Sequence, residues 1–211
     1  MSAALQIIMI LIAYMIGSIP SSVWIGRIFY KTDVREYGSG NAGATNTFRV
    51  LGKKAGVPVL LIDILKGFAA VQLAYLSDLN HATVHFINMQ LVLGVAALLG
   101  HIFPVLAGFR GGKGIATLLG VLLAVHPYAA VVAIVIFLIV YLMSNYVSLG
   151  SIISAITFPL VLVFIFDTKT PSLVIFSLII AVLVLITHQK NIERLLRREE
   201  SKSNLIKKKQ P

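Results

Sequence analysis

The chain has 211 residues, 58% of them hydrophobic and 12% charged, and a mean hydropathy of +0.92, which excludes a water-soluble globular domain and indicates a polytopic membrane protein. The net charge of +10 is not a nucleic-acid signal here, because basic loops in a membrane protein are first of all topological. The absence of cysteine excludes disulfides and thiolate metal sites; the one ligand-spaced His pair, His81 and His85, has no third ligand beside it, so no metal or cofactor is expected.

The chain opens on MSAALQIIMILIAYMIG, which lacks a basic leader and runs past the length of a signal-peptide core, so it reads as a retained first span over about 3–25. Further spans are expected at about 56–77, 86–104, 150–166 and 172–188. Between them, Ile115 to Met143 is too long for one upright helix, about 43 Å against a hydrocarbon core of about 30 Å, and His126-Pro127 offers a turn. Charge decides the division. Of the eighteen Lys and Arg, six lie in 27–54, two in 105–114 and eight after His188, and only two short helices meeting at His126-Pro127 bring these segments to one side. The expectation is therefore a single, all-α integral membrane domain with seven transmembrane helices, amino terminus outside and carboxyl terminus cytoplasmic. It includes a short helix near 115–126 that does not cross unaided, and a basic, disordered tail from about 199 to 211.

The first cytoplasmic segment contains GSGNAGATN at 38–46, which satisfies GxGxxG literally but lacks the preceding strand and βαβ unit of a dinucleotide site. What remains is local physics. Gly38, Gly40 and Gly43 allow close backbone approach, Ser39, Asn41, Thr45 and Asn46 add hydrogen-bonding groups, and a helix starting near Ala42–Thr45 would direct free N–H groups at an anion. Arg49 follows with a guanidinium fork suited to phosphate, although a glycine-rich turn with a topogenic Arg fits the pattern equally. Lys31, Arg35, Lys53 and Lys54 are adequately explained by topology.

The second segment, GFRGGKG at 108–114, is too short for a phosphate loop of the NTPase type and has Gly114 where Ser or Thr would stand. Arg110, Gly112 and Lys113 still read as an anion-binding loop, since no acidic residue neighbours the cations in the sequence. After Thr187, His188, Asn191 and Arg194 recur at helical spacing, where His188 is either a functional group or a polar end-marker. Asp63 and Lys66, i and i+3 within the second span, are either functional or a neutralising pair beneath the loop.

Together GSGNAGATNTFRVLGKKAG with LIDILKG, GHIFPVLAGFRGGKGIAT and HQKNIERL resemble the bacterial acyl-phosphate:glycerol-3-phosphate acyltransferase family over essentially the whole chain, from GSIPSS onward. The resemblance implies seven membrane helices and a cytoplasmic active site in the bacterial cytoplasmic membrane. It also implies transfer of a fatty acyl group from acyl phosphate to glycerol 3-phosphate, giving lysophosphatidic acid and phosphate, the first step of phospholipid biosynthesis. It makes Ser39, Arg49, Lys113, His188 and Asn191 the principal polar residues and Gly38–Asn46 a phosphate cradle. The soluble-type acyltransferase motif H-x-x-x-x-D is absent, the nearest match being His188 and Glu193. Membrane lipid and a soluble acyl-phosphate-producing enzyme are the expected partners. The rival reading from another class is a transporter of a phosphorylated metabolite, which would place cations near the midplane in two corresponding halves.

Overall fold

A computed structural model describes residues 2–203, and all of its regular structure is helical. The chain divides into two compact units, residues 1–127 and 128–211. Among the described residues four helical stretches are long and apolar enough to cross a membrane, Lys53–Leu76, Val84–Ala107, Pro127–Ser144 and Val147–Ile165, and the number is up to six if each of two bent helix pairs counts as one span.

The first unit holds α1 (Ala3–Gly17), α2 (Ser21–Tyr30), α3 (Ala44–Leu51), α4 (Lys53–Gln72), α5 (Val84–Ile102) and α6 (Ile115–Val125). The expected first span is broken. α1 and α2 meet at a 40° bend where Pro20, which has no N–H to donate, stands just before α2. The apolar run hides this break, since hydropathy is blind to a lost backbone bond. Small residues set the packing of the unit: a Cβ on Gly120 of α6 would collide with the Ile64 carbonyl of α4, and one on Gly67 of α4 with the Thr117 carbonyl of α6. α1 and α5 approach in the same way through Gly17 and Gly100. Met9, Ala13, Ala70, Phe86, Met89 and Leu93 fill the space between α1, α4 and α5, while Ile8, Leu11, Leu61 and Leu65 are exposed, as side chains facing lipid would be.

The helices do divide at His126-Pro127: α6 ends at Val125 and α7 begins at Pro127. The second unit contains α7 (Pro127–Ser144), α8 (Val147–Leu160), α9 (Pro171–Thr187) and α10 (Gln189–Leu196). Pro159 near the end of α8 removes one helical donor, and the chain continues as a π-helical turn over Val161–Ile165. α9 and α10 meet at 63°, with His188 at the corner as the N-cap of α10, so the last span does not run straight on through Asn191. Of the expected tail, residues 204–211 lie outside the described residues.

Candidate active site

The first loop is built on buried polar groups. Asp33 accepts hydrogen bonds from the backbone N–H of Arg35 (3.0 Å), from its guanidinium (2.8 Å to Nη2) and from Arg27 (2.8 Å). The hydrogen bonds from Arg35 chiefly, against the cost of burial, hold the Asp33 carboxyl far below the usual carboxylate range, and Asp33 in turn raises Arg35. Arg35 does more than orient the chain: its Nη1 donates to the carbonyls of Ala107 (2.8 Å) and Arg110 (3.4 Å), tying the first loop to the second. Its assignment to topology alone is therefore corrected, and Asp33, its anchor, is a residue that sequence reasoning missed.

Asn46 also changes its role. It is 2% exposed, its Nδ2 donates to the carbonyls of Val34 (2.7 Å) and Tyr37 (3.1 Å), and its Oδ1 accepts from the N–H of Ser39 (2.9 Å). Both donors of its amide and one lone pair of Oδ1 are occupied within the loop, so the side chain shapes the cradle. The rest of the loop is open. Gly38 and Gly40 have φ of +63° and +71°, and the Cδ of Arg49 lies 3.4 Å from where a Cβ on Gly38 would sit. Asn41 folds over Gly43, its Oδ1 3.0 Å from the corresponding point there.

α3 starts at Ala44 with Gly43 as its N-cap, so no side chain caps its first amides, and half-buried Thr45 stands in that first turn. Ser39 and Arg49 are exposed, and among the described residues neither side chain has a hydrogen-bond or ion-pair partner. One short element thus presents a hydroxyl, uncapped amides and a guanidinium, the donor set of an anion site.

The second loop is joined to the first by the N–H of Ala42, which donates to the Gly111 carbonyl (3.4 Å). Gly112 donates to the His101 carbonyl (3.1 Å), and a Cβ on it would strike Nε2 of the His101 ring. Its neighbours are Arg110, exposed, and Lys113, half-buried. Below the loops lies a buried polar chain. Ser21 donates to Asp63 (2.7 Å), Lys66 pairs with Asp63 (2.8 Å) and donates to the Ile19 carbonyl (2.8 Å), and His101 Nδ1 meets Thr117 Oγ1 (3.1 Å). Asp63 and Lys66, 1% and 5% exposed, form a buried ion pair beneath the loop. A small cleft lined by Ser21, Ala42, Lys66, His101 and Gly111 links this chain to the loops. His101, read from sequence as part of an apolar span, supports Gly112 next to Lys113.

In the second unit His188 is buried, and its Nδ1 lies 2.9 Å from the Val184 carbonyl. A carbonyl oxygen can only accept, so this contact places a proton on Nδ1. Asn191, 6% exposed, donates its Nδ2 to Glu200 (2.6 Å). Among the described residues no group of three His, Asp or Glu could hold a metal, and His81 packs between Tyr75 and Phe86 instead.

The sequence model of a family described as glycerol-3-phosphate acyltransferase matches residues 7–198. A glycerol-3-phosphate acyltransferase of Listeria monocytogenes serovar 1/2a is 48% identical over 196 residues, covering 93% of this chain and 96% of the relative. One of Enterococcus faecalis is 44% identical over 203 residues, covering 93% and 91%. Among solved structures, PlsY, an integral membrane glycerol 3-phosphate acyltransferase, is similar in its glycerol 3-phosphate form, with a TM-score of 0.83, 36% identity, and 94% and 96% of the two chains covered. Its lysophosphatidic acid form gives 0.81 at the same identity. With helices fit to cross a membrane several times, the chain is a multi-pass membrane protein that belongs to the glycerol-3-phosphate acyltransferase family.

Proposed function

We propose that this protein transfers a fatty acyl group from acyl phosphate to glycerol 3-phosphate, releasing lysophosphatidic acid and inorganic phosphate. The observation that carries this reading is the 38–49 element, where the Ser39 hydroxyl, the uncapped amides of α3 and the Arg49 guanidinium are displayed together on a loop held by Asn46. Such a set matches phosphate oxygens, and Arg110 and Lys113 on the adjoining loop add positive charge for a second phosphate.

Acyl phosphate is an activated mixed anhydride whose leaving group is already a stable anion, so no strong general acid is required. The task is to hold two mutually repelling phosphates and one carbonyl in register, which is positioning and electrostatic stabilisation. The glycerol hydroxyl oxygen forms the new ester bond to the acyl carbon, the bond from that carbon to the phosphate oxygen breaks, and the hydroxyl proton leaves. His188, Ser39 or a substrate phosphate oxygen receives that proton, and the resemblance of its motif makes Asn191 a further residue required for transfer. No acyl-enzyme forms; an acyl group trapped on Ser39 after acid quench would refute that.

We place the loops on the cytoplasmic face of a bacterial cytoplasmic membrane, with seven helices, the amino terminus outside and the carboxyl terminus inside. The one-sided basic segments support this orientation. A soluble acyl-phosphate-producing enzyme is the candidate partner for that face. The deciding experiment supplies purified protein with acyl phosphate and glycerol 3-phosphate and measures lysophosphatidic acid and phosphate. Product from acyl-coenzyme A alone would move the protein to another donor class. No product, with glycerol 3-phosphate crossing sealed liposomes, would favour transport.

A further inference from the structure

The chain does not leave the second unit where α10 ends. Arg198, at φ +61°, closes the helix with paired return bonds: its own N–H donates to the Leu195 carbonyl (3.1 Å), and that of Glu199 to the Arg194 carbonyl (2.7 Å). This reversal delivers Glu200 into a buried position. Its carboxylate, 7% exposed, accepts from Ser148 in the first turn of α8 (2.7 Å) and from Asn191 (2.6 Å) and Arg194 (2.7 Å) of α10. Farther on, the Ser203 N–H donates to the Asn145 carbonyl (2.9 Å), the Ser203 carbonyl accepts from the Tyr141 hydroxyl (3.0 Å), and the Lys202 ammonium lies 5.9 Å from the centre of the Tyr146 ring.

Burial works against charge on Glu200, but the hydrogen bonds from Arg194, Ser148 and Asn191 outweigh it and hold the carboxyl below its ordinary range. An ionised carboxylate has only acceptors, so it can meet Asn191 only through Nδ2. That contact decides which end of the Asn191 amide is donor and which is acceptor.

We propose that Glu200 is a positioning residue for acyl transfer: it orients the Asn191 amide, with Oδ1 turned away from the carboxylate, and ties α10 to the start of α8. This rests on the role of Asn191 put forward under Proposed function. The orientation is charge-assisted and anchored from two helices, so it is held in the resting protein and need not be found when substrate arrives.

The test uses full-length protein in liposomes, assayed with acyl phosphate and glycerol 3-phosphate, with Glu200→Ala, Glu200→Gln, Asn191→Ala and the Glu200→Ala/Asn191→Ala double variant. Because the native chain has no cysteine, a Lys202→Cys spin label reports local mobility in each background. Glu200→Ala is expected to lower kcat/KM about tenfold, Glu200→Gln less, since its shape and one acceptor survive, and Glu200→Ala should cost nothing further when Asn191 is already Ala. The label is expected to gain mobility in Glu200→Ala. Full activity of Glu200→Ala, losses that multiply in the double variant, or an unchanged label would each overturn the proposal while leaving Asn191 in place. Full activity of Asn191→Ala would overturn the role of Asn191 itself, and the positioning role with it.

Discussion

The glycine loops of the first unit and the α9–α10 corner of the second each present polar side chains beside apolar helices of their own unit, and they hold them by opposite means. In the loops Asn46, His101 and the Asp63–Lys66 pair are buried and Asp33 half-buried, while Ser39, Arg49 and Arg110 stand exposed. At the corner the candidate residues are themselves buried, His188 against the Val184 carbonyl and Asn191 against Glu200. An exposed cation on a rigid loop suits a strongly hydrated anion that arrives from water. A buried group whose orientation is fixed by a hydrogen bond suits a hydroxyl, where direction matters more than charge.

The comparison predicts different kinds of damage. Replacing the loop cations should give the largest effect: Arg49→Ala and Lys113→Ala each lower kcat/KM about a hundredfold or more, whereas Lys207→Ala, on a residue outside the described region, leaves it unchanged. Equal, mild losses in all three would mean that the loop cations serve only topology. The next effect comes from geometry with charge untouched. Gly112→Ala would drive a methyl group into the His101 ring and toward the Ala42 carbonyl, so kcat/KM should fall at least tenfold with membrane insertion intact, as measured by activity per folded protein.

Asn46→Asp tests whether Asn46 shapes the loop or binds ligand. The carboxylate still accepts from the Ser39 N–H but confronts the Val34 and Tyr37 carbonyls with no donor, so stability should fall by about 2–4 kcal/mol, read as a lower thermal midpoint in detergent. Normal stability with weakened phosphate binding would return Asn46 to the ligand-binding set.

The smallest effect concerns acid. The pKa of Asp33 is depressed in the folded state, so its contribution is present above the ordinary aspartate value of 3.8 and disappears only as pH falls through the lower folded value. The difference in thermal midpoint between the native chain and Asp33→Asn should therefore be flat from neutral pH down to about 4 and shrink below it. A difference that already closes near pH 6 would mean that some other group governs the link between the loops.

Much of this site was legible from residue order. A helix start near Ala42–Thr45, the turn at His126-Pro127, the Asp63–Lys66 spacing and the cations of both loops follow from turn chemistry, helical period and charge placement, all of which act over a few residues. Other roles were hidden because their partners are far away in the chain. Arg35 reads as one more basic residue until the Ala107 and Arg110 carbonyls appear beside it, and a carbonyl carries no sequence signature. Asn46 in a glycine-rich stretch looks like a ligand donor for the same reason. Glu200, in a polar tail, gives no sign of the three donors that bury it.

By itself, then, the sequence determined the membrane class, the family and the two basic loops in which anion chemistry is concentrated, because hydropathy, charge and glycine placement act locally and survive being read in one dimension. Only the tertiary structure decided which polar groups remain available and which are already occupied. That depends on pairing backbone carbonyls and carboxylates brought together from distant positions, and the cost of leaving a buried group unpaired explains why the side chains of Asn46, Arg35 and Glu200 are engaged by other parts of the protein.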